Sequence, residues 1–150
     1  MGDPGHDLAA LVRRFNDAFN RVDLDAVIDL FAVDAIYVTL EGRVRRGRAA
    51  IRRELAPQFR GVFGRLTFEE LDLAVDPTRG RVTLHWRCHH DLTAAAAGVG
   101  DELRRRAWRA LYGRGAVWEG IDLLHLEGGM VVEKHTFTKA FLPRARRARG

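Results

Sequence analysis

A single cysteine, Cys88, stands in 150 residues, so no internal disulfide can form and a reducing compartment fits the chain. Lysine is nearly absent too: of 25 basic residues only Lys134 and Lys139 are lysines, and the others are arginines. An arginine excess can serve phosphate recognition, but it also follows from a base composition biased toward arginine codons. Neither an aromatic-interleaved RNA motif nor a zinc-finger spacing accompanies it, so nucleic acid is not expected as a partner. No apolar run approaches a membrane span, and the opening MGDPGHDLAALVRRF lacks the apolar centre of a secretory signal. A cytoplasmic protein with no membrane partner is expected. There is no internal repeat and no composition break. A length of 150 residues with 47% hydrophobic residues suits one domain, residues 1–143, ahead of a basic tail at 144–150. Arg144, Arg146, Arg147 and Arg149 of that tail read as a solvated, disordered end.

What the chain does have is a pronounced hairpin pattern near its end, GIDLLHLEGGMVVEKHTF, from Gly120 to Phe137. Apolar and polar residues alternate on both sides of Gly128 and Gly129, the period of strands with two different faces. Asp122 shares its face with Trp118, Gly120, Leu124 and Leu126. A carboxylate on such a face is costly to bury unless it is paired, hydrogen-bonded or protonated. Asp122 is therefore the leading functional candidate, set against a plain reading as a rim carboxylate satisfied by water or an arginine.

Upstream, Leu8, Leu11, Val12, Phe15 and Phe19 form one apolar stripe of a helix over residues 7–20. Asp23 caps a second, shorter helix with Val27, Ile28 and Phe31 on its inner side. Ile36 to Leu40 reads as a strand, and Gly47 precedes a third helix that Pro57 should end or kink near Ala56. Leu66–Val75 and Val82–Leu92 read as strands; Val82, Leu84, Trp86, Cys88 and His90 share a face of the second. Residues 93–114 interrupt the pattern, with a helix that Asp101 can cap and that carries Leu103, Ala107, Trp108 and Leu111 on one side and Arg104, Arg105, Arg106 and Arg109 on the other. Ala116–Glu127 and Met130–Leu142 complete the strands. Helices first and strands after predict an α+β domain whose curved sheet wraps over its helices.

The glycine turn decides what faces Asp122. A three-residue loop that pairs Leu126 with Met130 places Lys134, Thr136 and Thr138 there; a two-residue Gly-Gly turn brings His135 instead. Lys134 would form an ion pair with Asp122, whereas His135 would be a base held in one tautomer by it. His85 and His89 lie about 13 Å apart along a strand, too far to share an ion. A metal would need a cross-strand pair such as His89 with His125, and no metal site is expected.

Asn20, Asp23, Asp25, Leu30-Phe31, Asp34-Ala35, Gly42, Gly47, Ile51 and the terminal hairpin resemble the nuclear transport factor 2-like superfamily, in particular its SnoaL-like branch. The resemblance spans the chain except residues 93–114 and the tail. It implies a cone: a bent antiparallel sheet on three N-terminal helices around a blind pocket, here with an extra helix near 101–112. It also implies a homodimer through the outer sheet face, favours the first hairpin register, and turns Tyr37 and Thr39 inward. Asp122 matches the buried acid of ketosteroid isomerase. That enzyme's partner tyrosine is replaced here by Phe15, its general-base aspartate by Thr39, and an epoxide-hydrolase aspartate by Thr136, so neither of those mechanisms is expected.

A cofactor-independent isomerase, cyclase or dehydratase acting on a small apolar, cyclic or polyketide-like molecule follows as the leading expectation. Asp122, Lys134, His90 and Tyr37 are its candidate catalytic residues; Phe15, Thr39, Trp86, Trp118 and Thr136 are its candidate lining. The alternative is a non-catalytic binding or dimerisation module on the same scaffold.

Overall fold

Asp3 starts the first helix by accepting a hydrogen bond from the Gly5 N–H at 3.1 Å, and Pro4 takes a position where a missing N–H costs nothing. The computed structural model describes residues 2–139 and runs this helix, α1, over Pro4–Asn20. Asp23 caps α2 (Leu24–Asp29) through the Ala26 N–H at 3.0 Å. Strand β1 (Phe31–Val38) opens with Phe31, which is wholly buried in the strand rather than on the helix before it. A short β2 (Val44–Arg46), which its polar sequence does not announce, pairs back on β1. Helix α3 (Arg48–Phe59) continues through Pro57. The proline sits in the last turn, so only one intrahelical bond is lost and the helix does not stop.

The remaining elements are β3 (Arg65–Asp76), β4 (Arg81–Asp91), α4 (Val99–Tyr112), β5 (Gly115–Glu127) and β6 (Met130–Lys139). The expected end of the last strand, residues 140–142, and the basic tail lie outside the described residues. The six strands form one curved, open sheet in the order β2-β1-β6-β5-β4-β3. Its neighbours run antiparallel except β1 with β6, which are parallel. Irregularities at Glu70–Asp72 and His125–Leu126 bend it.

The helices fill the concave face. Val82, Leu84, Trp86, Cys88 and His90 alternate inward along β4, as their spacing predicts. An aromatic chain ties helix to sheet: Phe31 meets Phe15 at 5.5 Å, Phe15 meets Phe19 at 5.2 Å, Phe19 meets Phe68 at 5.3 Å, and Phe68 meets Trp86 at 5.4 Å between ring centroids. At the exposed edge of the sheet the Asn20 amide accepts from the Phe68 N–H (2.7 Å) and donates to the Phe68 carbonyl (2.9 Å). One side chain thus covers a length of open strand.

Helix α4 differs from the sequence reading in two ways. Gly98, not Asp101, precedes it, and Asp101 instead binds Arg60 Nε at 2.8 Å. Its inner face holds Arg105, Trp108 and Tyr112, while Leu103 and Leu111 point to solvent. Trp108 and Tyr112 stack on each other and reach Phe63 and Trp118. Two large rings bury more apolar surface than two leucines, so they take the inner face.

Candidate functional site

The β5–β6 turn sets the site. Gly128 and Gly129 both have positive φ, 57° and 75°, and Glu127 pairs with Met130, so the loop has two residues. That turn alone would bring His135 to Asp122. The pairing slips immediately afterwards: Leu126 pairs with Val131, but His125 pairs with Glu133. Val132 is an added residue, a bulge, and it reverses the face of everything beyond it. Lys134 and Thr136 therefore share the face of Asp122, and His135 turns outward to Glu133. The expected face is reached by a different turn from the three-residue loop.

Asp122 and Lys134 are each 6% exposed. Lys134 Nζ lies 2.8 Å from Asp122 Oδ1 and donates to Thr136 Oγ1 at 2.6 Å; Thr136 Oγ1 in turn donates to the same Asp122 oxygen at 2.7 Å. These contacts satisfy a buried cation and anion mutually, which is the condition for their burial. Asp122 Oδ2 accepts no hydrogen bond from a described residue. Across the parallel pairing, Tyr37 stands beside Lys134, with Nζ 4.9 Å from its ring centroid and 6.0 Å from that of Phe15. Both rings present negative π-faces to the ammonium. Thr39 is buried at the end of β1, and its hydroxyl accepts from the Arg43 N–H to hold the turn into β2.

Trp86 lies across the sheet from Gly120, and an added Cβ there would fall 2.3 Å from the indole. The missing side chain makes room for the ring. The Trp86 Nε1 proton is enclosed and has no acceptor among the described residues. Asp122, Lys134, Thr136, Tyr37 and Phe15 thus meet directly, with Thr39 and Trp86 on the margins.

His90 and Trp118 belong to another place. Asp122 pairs with Leu84, and His90 is six residues further along β4, roughly 20 Å of strand. His90 Nδ1 donates to the Phe63 carbonyl at 3.0 Å, which leaves Nε2 as the acceptor. Burial holds its pKa below the ordinary value, with the Phe63 contact opposing. Its ring meets Trp118 at 4.8 Å, and Trp108 and Tyr112 close over Trp118 from α4. Sequence reasoning did not place Phe63 and Tyr112 in this cluster. The four-residue spacing of Trp108 and Tyr112, which puts both on one helical face, was the available signal. Burial raises the Cys88 thiol to about 12, so it is no nucleophile at neutral pH.

Four other histidines pair with carboxylates: His85 with Glu119, His89 with Glu69, His125 with Glu127 and His135 with Glu133. Among the described residues no three metal-ligating side chains converge. A cavity of about 250 Å³ opens between the ends of α1 and α3, lined by Phe19, Val22, Phe59, Leu66, Arg65 and Ala94–Ala97 among others. It does not touch Asp122; Phe19 and Phe15 stand between it and Lys134.

The sequence profile of the SnoaL-like domain matches residues 12–134. No protein of curated function matches the chain. Among solved structures, a candidate SnoaL-like polyketide cyclase from Jannaschia sp. CCS1 aligns with TM-score 0.69 and 17% identity over 93% of this chain and 90% of its own. A nuclear transport factor 2-like protein of unknown function from Mesorhizobium loti aligns at 0.64 and 20% identity, over 93% and 97%. AclR, a candidate hydroxylase from Streptomyces galilaeus, aligns at 0.66 and 19% identity, over 93% and 81%.

Proposed function

The chain belongs to the SnoaL-like family, and on that premise we propose that it binds a small apolar, cyclic or polyketide-like molecule and carries out cofactor-independent acid–base chemistry on it, as an isomerase, cyclase or dehydratase. The observation that carries this reading is the buried Asp122–Lys134–Thr136 cluster within an apolar core. Asp122 Oδ2 takes a proton from the carbon next to a ligand carbonyl. The Lys134 ammonium, with the Tyr37 hydroxyl, donates to the enolate oxygen, and return of the proton to another carbon completes an isomerisation. Phe15 and Trp86 supply apolar walls. The ligand approaches through the cavity beside Phe19, and the rings of Phe19 and Phe15 must turn aside to admit it. His90 lies six residues along β4 from Leu84, the partner of Asp122, and takes no part at the ligand carbonyl.

A second reading, a binding module without catalysis, is favoured by the mutual satisfaction of Lys134, Thr136 and Asp122 Oδ1. Thermal unfolding against a panel of cyclic ketones, sterols and aromatics separates the two. Catalysis predicts that a ketone which raises the midpoint is also turned over, and that Asp122→Asn keeps the fold but loses turnover. Unchanged turnover in the variant removes the mechanism; stabilisation without turnover leaves the binding module. The cytoplasmic assignment belongs to the same proposal, as does a homodimer through the outer sheet face. Exposed Val117, Ile121, Leu123 and Phe137 on that face support the dimer.

A further inference from the structure

Helix α4 turns one face to the domain and leaves a second, apolar face uncovered. Asp101, Arg105, Trp108 and Tyr112 hold the inner one to the domain, through Arg60, the Leu92 carbonyl and the rings of Phe63 and Trp118. The other faces solvent: Val99 is 91% exposed, Leu103 71% and Leu111 64%, with Ala107 and Ala110 also exposed between them. At 100° per residue these five residues fall within a sector of about 120°. Arg104 borders it on one side and Arg106 on the other, with Glu102 and then Arg109 next beyond Arg106; the three arginines are exposed. Of the helix's two acids, Asp101 lies on the inner face, and Glu102 lies beside Arg106 with its charge taken up by arginines. Asp101 binds Arg60, and Glu102 binds Arg105 and Arg106. Arg104 and Arg109 have no ion-pair partner among the described residues.

We propose that this outward face of α4 is a docking surface for an anionic lipid bilayer, on which the helix lies in the plane of the headgroups. An apolar stripe bordered on both sides by arginines is what such a surface recognises: leucines enter the acyl boundary while guanidinium groups bind lipid phosphates. A second copy of the chain is the poorer occupant, because a two-fold contact sets this net-basic flank against itself. The helix is already folded and anchored by its inner face, so docking needs no ordering step. The contact is peripheral, and among the described residues no helix is long and apolar enough to cross a membrane. It revises the expectation of no membrane partner, which rested on the missing span. The net charge of +5 adds long-range attraction to the same surface.

Flotation of the full-length protein with phosphatidylcholine vesicles, with and without phosphatidylglycerol, tests this. The protein is expected to float only with phosphatidylglycerol, and less at high salt. Leu103→Asp with Leu111→Asp, and separately Arg104→Glu with Arg109→Glu, should each lower the bound fraction on the order of tenfold while the unfolding midpoint stays put. Absence of flotation, or equal flotation on both vesicle types, overturns the proposal without reference to any variant. A wild-type dimer by light scattering that the Leu103→Asp, Leu111→Asp variant dissolves, with no vesicle binding, assigns the face to a second copy and equally overturns it. Retention on an acidic protein in place of vesicles does the same.

Discussion

Lys134 Nζ and Asp122 Oδ1 lie 2.8 Å apart on adjacent strands, both screened from water, with the Thr136 hydroxyl bonded to each. Deleting the lysine strands the Asp122 charge in the core, whereas an asparagine at 122 keeps the shape and a polar oxygen for Lys134 and Thr136. Lys134→Ala is expected to cost about 3–5 kcal/mol of unfolding free energy, whereas the paired change Asp122→Leu with Lys134→Met should cost far less or nothing. Chemical denaturation of the single and double variants measures the difference, and a small penalty for Lys134→Ala alone would mean that water reaches the pair.

Gly120→Ala should destabilise by about 1–3 kcal/mol, since the new methyl group meets the Trp86 ring and, at 2.5 Å, the Phe137 carbonyl oxygen. Neither neighbour is the free end of a flexible chain. Denaturation reports the loss, and a change in tryptophan emission reports displacement of the indole.

Burial keeps the folded-state pKa of His90 below its unfolded value near 6.5, so below that pH the unfolded chain takes up a proton here that the folded protein does not. Stability from this site is complete above the unfolded pKa and is lost as pH falls through the folded one. The slope reaches at most about 1.4 kcal/mol per pH unit. The stability of wild type relative to His90→Gln, followed across mildly acidic pH, should fall as pH is lowered. Parallel profiles would mean that the imidazole is not held neutral.

The alternation of β4 and β5 and the stripe of α1 were legible because period and composition agreed, and a lone acid among apolar neighbours singled out Asp122. Other features were not legible. The bulge at Val132 leaves no composition mark, since Val131 and Val132 fit either face, yet it alone decides that Lys134 and not His135 meets Asp122. The sidedness of α4 was not legible: Leu103, Ala107 and Leu111 form the more apolar stripe, yet Phe63 and Trp118 draw Trp108 inward, and Arg105 with it. His90 had the right face but the wrong end of its strand. Alternation gives the side of a sheet; only pairing gives position along it.

Exchange of the protons next to the carbonyl of a simple cyclic ketone such as cyclohexanone, followed by NMR in heavy water, tests the central claim most directly. It reads proton abstraction without requiring the natural ligand. The wild-type protein is expected to speed exchange above the buffer rate, with Asp122→Asn returning it to that rate in a folded protein. Exchange at the same rate in both, whether fast or at the buffer level, would contradict the assignment of Asp122 as the base.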